Sequence, residues 1–260
     1  MFAPEDLGLV KGGPALRRRF INMEMGQIAP VYMHLLSDYQ RVLQQRNALL
    51  KNYAGKQAGT GPFLDVLTDK LITLAADIVC RRLRFISNLN DWAGPIHSEI
   101  SQGREKLQLI YHSSVREVSD PADKSKIAEA YEKAFSQVRT RESERGTTLV
   151  GPHRDDLEFI VNGHDVQLFG SQGQQRTTAL SVKLAEIDLI YHETGEYPLL
   201  LLDDVLSELD DIRKTHLLAA FKEKVQTFVT TTSIDGLDRR LIDRATLFHI
   251  HQGTVVCAES

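Results

Sequence analysis

The sequence predicts an α/β protein that carries a mainly helical lobe. Three observations lead there. Helical periodicity dominates residues 21–145, and short strand-like segments separated by turns fill 146–260. An unbroken apolar run, Leu199 to Leu202, then ends in Asp203 and Asp204. A helix, a buried strand, a second helix and a second strand in succession form a layered α/β arrangement. The chain therefore divides into a loop-like opening (1–20), a helical lobe (21–145) and an α/β part (146–260).

The overall numbers bound the class. The chain has 260 residues, 42% of them hydrophobic and 25% charged, with a formal net charge of -4. That is an ordinary folded composition, long enough for a sizeable core. The two cysteines, Cys80 and Cys257, supply neither a disulfide framework nor metal-ligand spacing. No apolar run approaches the ~20 residues of a membrane span, and no signal peptide is visible, so the expected location is the cytoplasm. A net charge of -4 gives no global attraction to nucleic acid but leaves room for a local basic face.

The first stretch, MFAPEDLGLVKGGPALRRRF, is punctuated by Pro4 and by Gly12-Gly13-Pro14 before the basic run Arg17, Arg18, Arg19. A helical period then runs through Ile28, Val31, Leu35, Tyr39, Val42, Arg46 and Leu49, with Gly26 and Pro30 expected to interrupt its early part. Gly55, Gly59 and Gly61-Pro62 mark a turn. A longer helix places Leu67, Leu71, Leu74, Ile78, Phe85, Leu89 and Trp92 on one face, with Asn90, Gly94 and Pro95 blurring its end. Leu107, Leu109 and Tyr111 alternate as in a half-buried strand, and Ile127, Tyr131, Phe135 and Val138 return to the helical period. Nearly every apolar residue in this lobe reads as core.

After Gly146 the pattern becomes short strands and turns. Leu199 to Leu202, bounded by Pro198 and two aspartates, suits a strand buried on both faces of a parallel sheet. A helix is expected from about residue 211 to 224, then a strand in VQTFVTTTS and a hairpin around Gln252-Gly253.

Two places carry chemistry. Asp203 and Asp204 stand at the C-terminal edge of the buried strand, where open α/β sheets place ligands. Paired carboxylates there repel one another unless a cation compensates, and magnesium bridged to nucleotide phosphates needs few protein ligands. Asp203 then serves the metal, and Asp204 orients the attacking water. The plain alternative is a turn followed by a helix cap. The second place is FGSQGQQRTTALSVKLAEIDLI, a polar turn opening a long helix. The first N–H groups of such a helix attract anions, Gly173 allows close approach, and Ser171 and Gln174 add hydrogen-bonding groups. A serine here is also an ordinary helix cap. Asp210, at the end of the following SELD turn, caps the next helix or reaches across an interface.

These stretches resemble the RecF family of bacterial DNA replication and repair proteins. FGSQGQQRTTALSVKLAEIDLI is similar to that family's ABC-type signature motif, and LLLLDDVLSELD to its Walker B strand and D-loop. FAPEDLGLVKGGPALRRRF resembles the head-to-arm junction, and GPHRDDLEFIVNG the re-entry into the head. The four blocks come in the family's order and span essentially the whole chain. The resemblance implies a partial ABC/SMC-type ATPase head with an inserted helical arm. It also implies ATP and magnesium as cofactors, an ATP-dependent homodimer, and single- and double-stranded DNA with RecR and RecO proteins as partners, and no membrane. On it, Ser171, Gly173 and Gln174 contact nucleotide held by the facing subunit, Asp203 serves magnesium, Asp204 is catalytic, and Asp210 lies in the D-loop at the seam. Thr230 to Thr232 stand where many ABC ATPases carry a switch histidine, but a threonine brings no charge.

The sequence departs from the family's pattern in one respect: it contains no GxxxxGK[ST] phosphate loop. It reads as beginning at the junction, about a hundred residues into the family's pattern, and the chain alone is expected to be inactive. Candidate DNA contacts are Arg17, Arg18 and Arg19, and Arg81, Arg82 and Arg84, unless these are solvated faces balanced by nearby acids. His153, Arg154 and Asp155 are a group that could orient one another. A non-enzymatic DNA or protein adaptor, and another ABC-type ATPase such as a transport ATPase, are the competing classes. The long arm and the SQGQQ form of the signature weigh against transport.

Overall fold

The computed structural model describes residues 6, 8–53, 61–116, 118, 123–208, 214, 225–234, 242–243 and 245–259. A short helix α1 (Gly8–Lys11) leads into α2 (Pro14–Ile28), which opens with proline at its first position, where a missing N–H costs nothing. Gly26 does not interrupt α2, contrary to the sequence expectation. The break comes at Ala29, whose extended backbone is what a residue before proline prefers, and α3 (Pro30–Tyr53) starts at once. The third long helix, α4 (Pro62–Ile100), runs straight through Pro95. It buries Leu67, Leu71, Ile78, Phe85 and Leu89 along one stripe, whereas Trp92, assigned to that stripe from the sequence, is 38% exposed.

Strand β1 (Leu107–His112) follows, then α5 (Lys124–Arg145). Asp123 caps α5 by accepting from the backbone N–H groups of Ser125 and Lys126, and Gly146 ends it in the left-handed region at φ 63°. Strand β2 (Asp156–Val161) pairs antiparallel with β1, Leu107 opposite Val161 and His112 opposite Asp156, and the short β3 (His164–Asp165) extends that sheet. The helical lobe is thus closed by a sheet whose first strand precedes α5 and whose second follows it.

After a single helical turn, α6 (Val166–Phe169), comes α7 (Gln172–Thr194), buried on almost all sides. Its residues divide between two cores. Ala179, Val182, Ala185 and Leu189 join the large cluster with α4, β1 and β2. Leu180, Leu184 and Ile187 face Leu200, Leu202, Val205 and Leu206 in a second cluster. The two sets recur at helical spacing on opposite sides, which is why no polar face is left.

Strand β4 (Leu200–Asp203) pairs in parallel with β5 (Thr227–Thr230), and β6 (Leu247–His251) with β7 (Thr254–Glu259) as an antiparallel hairpin turning at Gln252-Gly253. The expectation that the leucine run is buried on both faces fails. Leu200 and Leu202 are buried against α7, but Leu199 is 63% and Leu201 44% exposed. One layer, α7, covers one face of β4 among the described residues, so burial alternates along the strand. The helix expected over 211–224 lies outside the described residues, apart from Lys214.

Candidate nucleotide and interface site

The turn at Gly170–Gln174 is built as a helix start. Ser171 is the N-cap of α7, its Oγ accepting from the Gln174 backbone N–H at 3.2 Å. Gln174 Oε1 accepts from the Ser171 N–H at 2.9 Å, so the two residues form a reciprocal capping box. Ser171 is exposed, and Gly173 and Gln174 are half-buried. The cap function is therefore present in the single chain, and the turn also lies open at the surface. Behind it, Gln175 is buried and donates from Nε2 to the Val166 carbonyl at 3.1 Å, fixing the turn to α6.

The strand edge follows α7 in the chain. Asp203 is the last residue of β4, in register with Thr230 of β5. The Thr230 hydroxyl donates to Asp203 Oδ1 at 2.6 Å and accepts from the Asp204 N–H at 3.1 Å. The Asp204 N–H also reaches the Thr230 carbonyl at 3.2 Å. Asp204 adopts φ 49°, a left-handed conformation costing a non-glycine residue about 1 kcal/mol, and these bonds from β5 hold it there. Asp203 is exposed and Asp204 half-buried. Two carboxylates and a hydroxyl at a strand end are hard oxygen donors, which fit magnesium sharing its shell with phosphates and water. Among the described residues, no group of three or more His, Cys, Asp or Glu side chains gathers to hold a metal unaided. Sequence reasoning placed Thr230 beside this site but missed its bonding to both acids. The signal was its position at the end of the neighbouring strand. Asp210 lies outside the described residues.

The six arginines do not form one face. Arg17 is buried and grips both Asp156 oxygens at 2.7 Å, with Nη1 on the Gly12 carbonyl at 2.5 Å. Arg82 is buried too, with bonds to the Tyr32 and Tyr111 hydroxyls, the Pro152 carbonyl and Asn22 Oδ1. Neither side chain is presented to a ligand on the surface: the partners that draw them inside lie far off in sequence, 139 residues in the case of Arg17 and Asp156. Arg18 and Arg81 are half-buried; Arg19 and Arg84 are exposed.

Nor do His153, Arg154 and Asp155 orient one another. His153 Nδ1 meets the Tyr39 hydroxyl at 2.6 Å, Arg154 donates to the Thr148 carbonyl, and Asp155 accepts from Tyr111 and from the Ser114 N–H. Burial, reinforced by the positive charges of Arg154, Arg18 and Arg82, pushes the His153 pKa down to about 4, although a backbone contact with Thr148 opposes this. Burial raises the Asp155 pKa.

No protein-family model matches the sequence. Individual relatives do. The chain is 61% identical over 255 residues to a DNA replication and repair protein RecF of Geobacillus thermodenitrificans, matching 98% of this chain and 68% of the relative. The RecF of Bacillus subtilis is 59% identical over 256 residues, with 98% and 69% covered. This chain belongs to the RecF family. Two solved structures agree. One, of the recombination mediator protein RecF-ATPrS in the RecFOR pathway, superposes with a TM-score of 0.84 at 35% identity, over 98% of this chain and 66% of that one. The other, of RecF-ATP, gives 0.81 at 35% identity over 90% and 62%. The fold is accordingly the mixed α/β RecF head with its helical arm inserted, and the chain spans about two thirds of the length of the RecF proteins it matches. Among the described residues, no helix is long and apolar enough to cross a membrane.

Proposed function

We propose that this chain supplies the signature, Walker B and arm portions of an ATP-dependent DNA-binding protein of recombinational repair and replication restart. The observation that carries the reading is the arrangement of α7. Its capped, exposed start lies at one end, and its core face packs against the strand that ends in Asp203 and Asp204. Membership of the RecF family supports it and weighs against a transport ATPase.

Asp203, steadied by the Thr230 hydroxyl, would hold a magnesium ion directly or through water, and that ion would supply charge neutralisation at the phosphates of ATP. Asp204, whose N–H is shared between the carbonyl and the hydroxyl of Thr230 on β5, orients the attacking water. Ser171, Gly173 and Gln174 meet nucleotide held by a facing copy, so that closure of the dimer clamps DNA and hydrolysis resets it; Asp210 belongs to the seam. Of the two basic runs, Arg81 and Arg84, one helical turn apart on α4, are assigned to backbone phosphates of single- or double-stranded DNA. RecR and RecO proteins are the proposed partners, in the cytoplasm. The sequence contains no phosphate loop, whose N–H groups and lysine supply most phosphate binding, so the chain by itself hydrolyses ATP feebly or not at all. The second reading is a non-enzymatic adaptor.

Ser171→Arg separates the readings, because it puts bulk and charge where two copies and a nucleotide meet. In a chain joined to a phosphate-loop segment and carrying Asp204→Asn to slow hydrolysis, light scattering with ATP is expected to show a dimer. Adding Ser171→Arg should abolish that dimer while leaving ATP binding intact. A dimer that survives the substitution returns Ser171 to a simple cap, and magnesium-dependent turnover by the 260-residue chain, removed by Asp204→Asn, overturns the inactivity.

A further inference from the structure

A groove of about 340 Å³ lies where α2 and α3 approach the loop at Pro152-His153. It holds more positive charge than the carboxylates around it neutralise. At its floor is the Arg82 guanidinium, 1% exposed, and every group it touches is neutral: two tyrosine hydroxyls, a carbonyl and an amide oxygen at 2.7–3.3 Å. Its nearest anion within this network is Asp155, one hydroxyl away through Tyr111. That single carboxylate balances Arg82. The next one, Asp156, is taken at both oxygens by Arg17. Arg18, at the groove wall, donates to a backbone carbonyl, that of Asp155 at 2.7 Å. Arg19 stands exposed beside it, and neither has a carboxylate within salt-bridge distance among the described residues. Buried or half-buried cations are normally paired, so an anion belongs here.

The walls say what kind. Met23 from α2 and Met33 from α3 both line the groove and are 50% and 48% exposed, and the buried Leu36 lines it too. Methionine is the side chain that re-packs most readily around a variable apolar guest. A phosphate backbone in this groove would strip water from its own charge against thioethers that return nothing. A protein segment with an apolar side chain beside a carboxylate satisfies walls and rim together.

We propose that the α2–α3 groove docks a short acidic, apolar peptide segment of a partner protein, its carboxylate on Arg18 and Arg19 and its apolar side chain between Met23 and Met33. This goes beyond the nucleotide reading above and does not depend on it.

The test uses the chain as it stands, with a fluorescein-labelled peptide of leucine, phenylalanine, aspartate and glutamate as probe. Its counterpart with asparagine and glutamine serves as control, and unlabelled duplex DNA as competitor. Saturable binding of the acidic probe is expected, weakened ~10-fold or more by Arg19→Glu, by Met23→Glu and by the amide control, and not displaced by duplex. Methionine-methyl NMR on the unsubstituted chain gives a reading that needs no variant to fold. Addition of the probe should move the Met23 and Met33 signals and leave that of Met25, 6% exposed in the core, in place. Absence of saturable binding, binding indifferent to both substitutions, or unmoved Met23 and Met33 signals overturns the proposal. Displacement by duplex DNA that depends on Arg19 also overturns it, and makes the groove a phosphate site.

Discussion

Arg46 sits within the helical lobe with a side chain 3% exposed, paired at 2.6 Å with Glu142, whose side chain is fully buried. Its other donors reach Thr148 and Thr68, and Glu142 also accepts from the Leu149 N–H, so every charge is answered. Removing one partner strands the other. Arg46→Leu is expected to cost about 3–5 kcal/mol in urea unfolding, and Arg46→Leu with Glu142→Leu to recover much of that. His153 offers a pH reading. Its pKa is depressed from 6.5 to about 4, because burial and nearby arginines disfavour the imidazolium. For a group held neutral in the folded state, the stabilisation is present above pH 6.5 and lost as pH falls toward 4. It amounts to up to about 3 kcal/mol. Unfolding followed at pH 7 and 4.5 should show a fall that His153→Asn largely removes. At this scale the sequence was least informative. The arginine runs announced positive charge, but Arg17 and Arg82 turn inward to Asp156, Tyr32 and Tyr111, and those partners are distant in sequence. Arg46, by contrast, already falls on the buried helical period.

Helices were legible because their signals are local. The change of pattern at Gly146 and the apolar stripe of α4 lie within a few turns of what they control. The errors came where neighbours decide. Gly26 stays helical because Pro30, four residues on, sets the break, and the leucine run reads as doubly buried though α7 covers one face. The alternation makes a sharp expectation about β4. Leu202→Lys, placing charge in the cluster with Leu180 and Leu184, should cost about 3 kcal/mol or more, whereas Leu201→Lys on the open face should cost less than about 1 kcal/mol. Thermal unfolding of the two variants decides it, and equal losses would mean that both faces are covered.

On the scale of the whole chain, the second core is thin on its outer side. Leu199, Leu201 and Phe228 lie exposed on the β4–β5 ribbon, and Phe248, Ile250, Val255 and Val256 on the β6–β7 hairpin. Exposed apolar side chains on ribbons that are two-stranded among the described residues favour self-association. Sedimentation velocity should show concentration-dependent association of the chain, reduced in the double variant Leu201→Lys, Phe228→Lys. An unchanged, monomeric profile at high concentration would refute this.

The Arg17–Asp156 fork has a bearing on synthesis. A ribosome delivers α2 long before it delivers β2, and until then Arg17 faces water with no carboxylate to receive it. The same holds for β1, which waits for β2, and for Arg82, which waits for Pro152. The helices of the lobe are therefore made before the residues that clasp Arg17 and Arg82, so these contacts close only once Pro152 and β2 have been made.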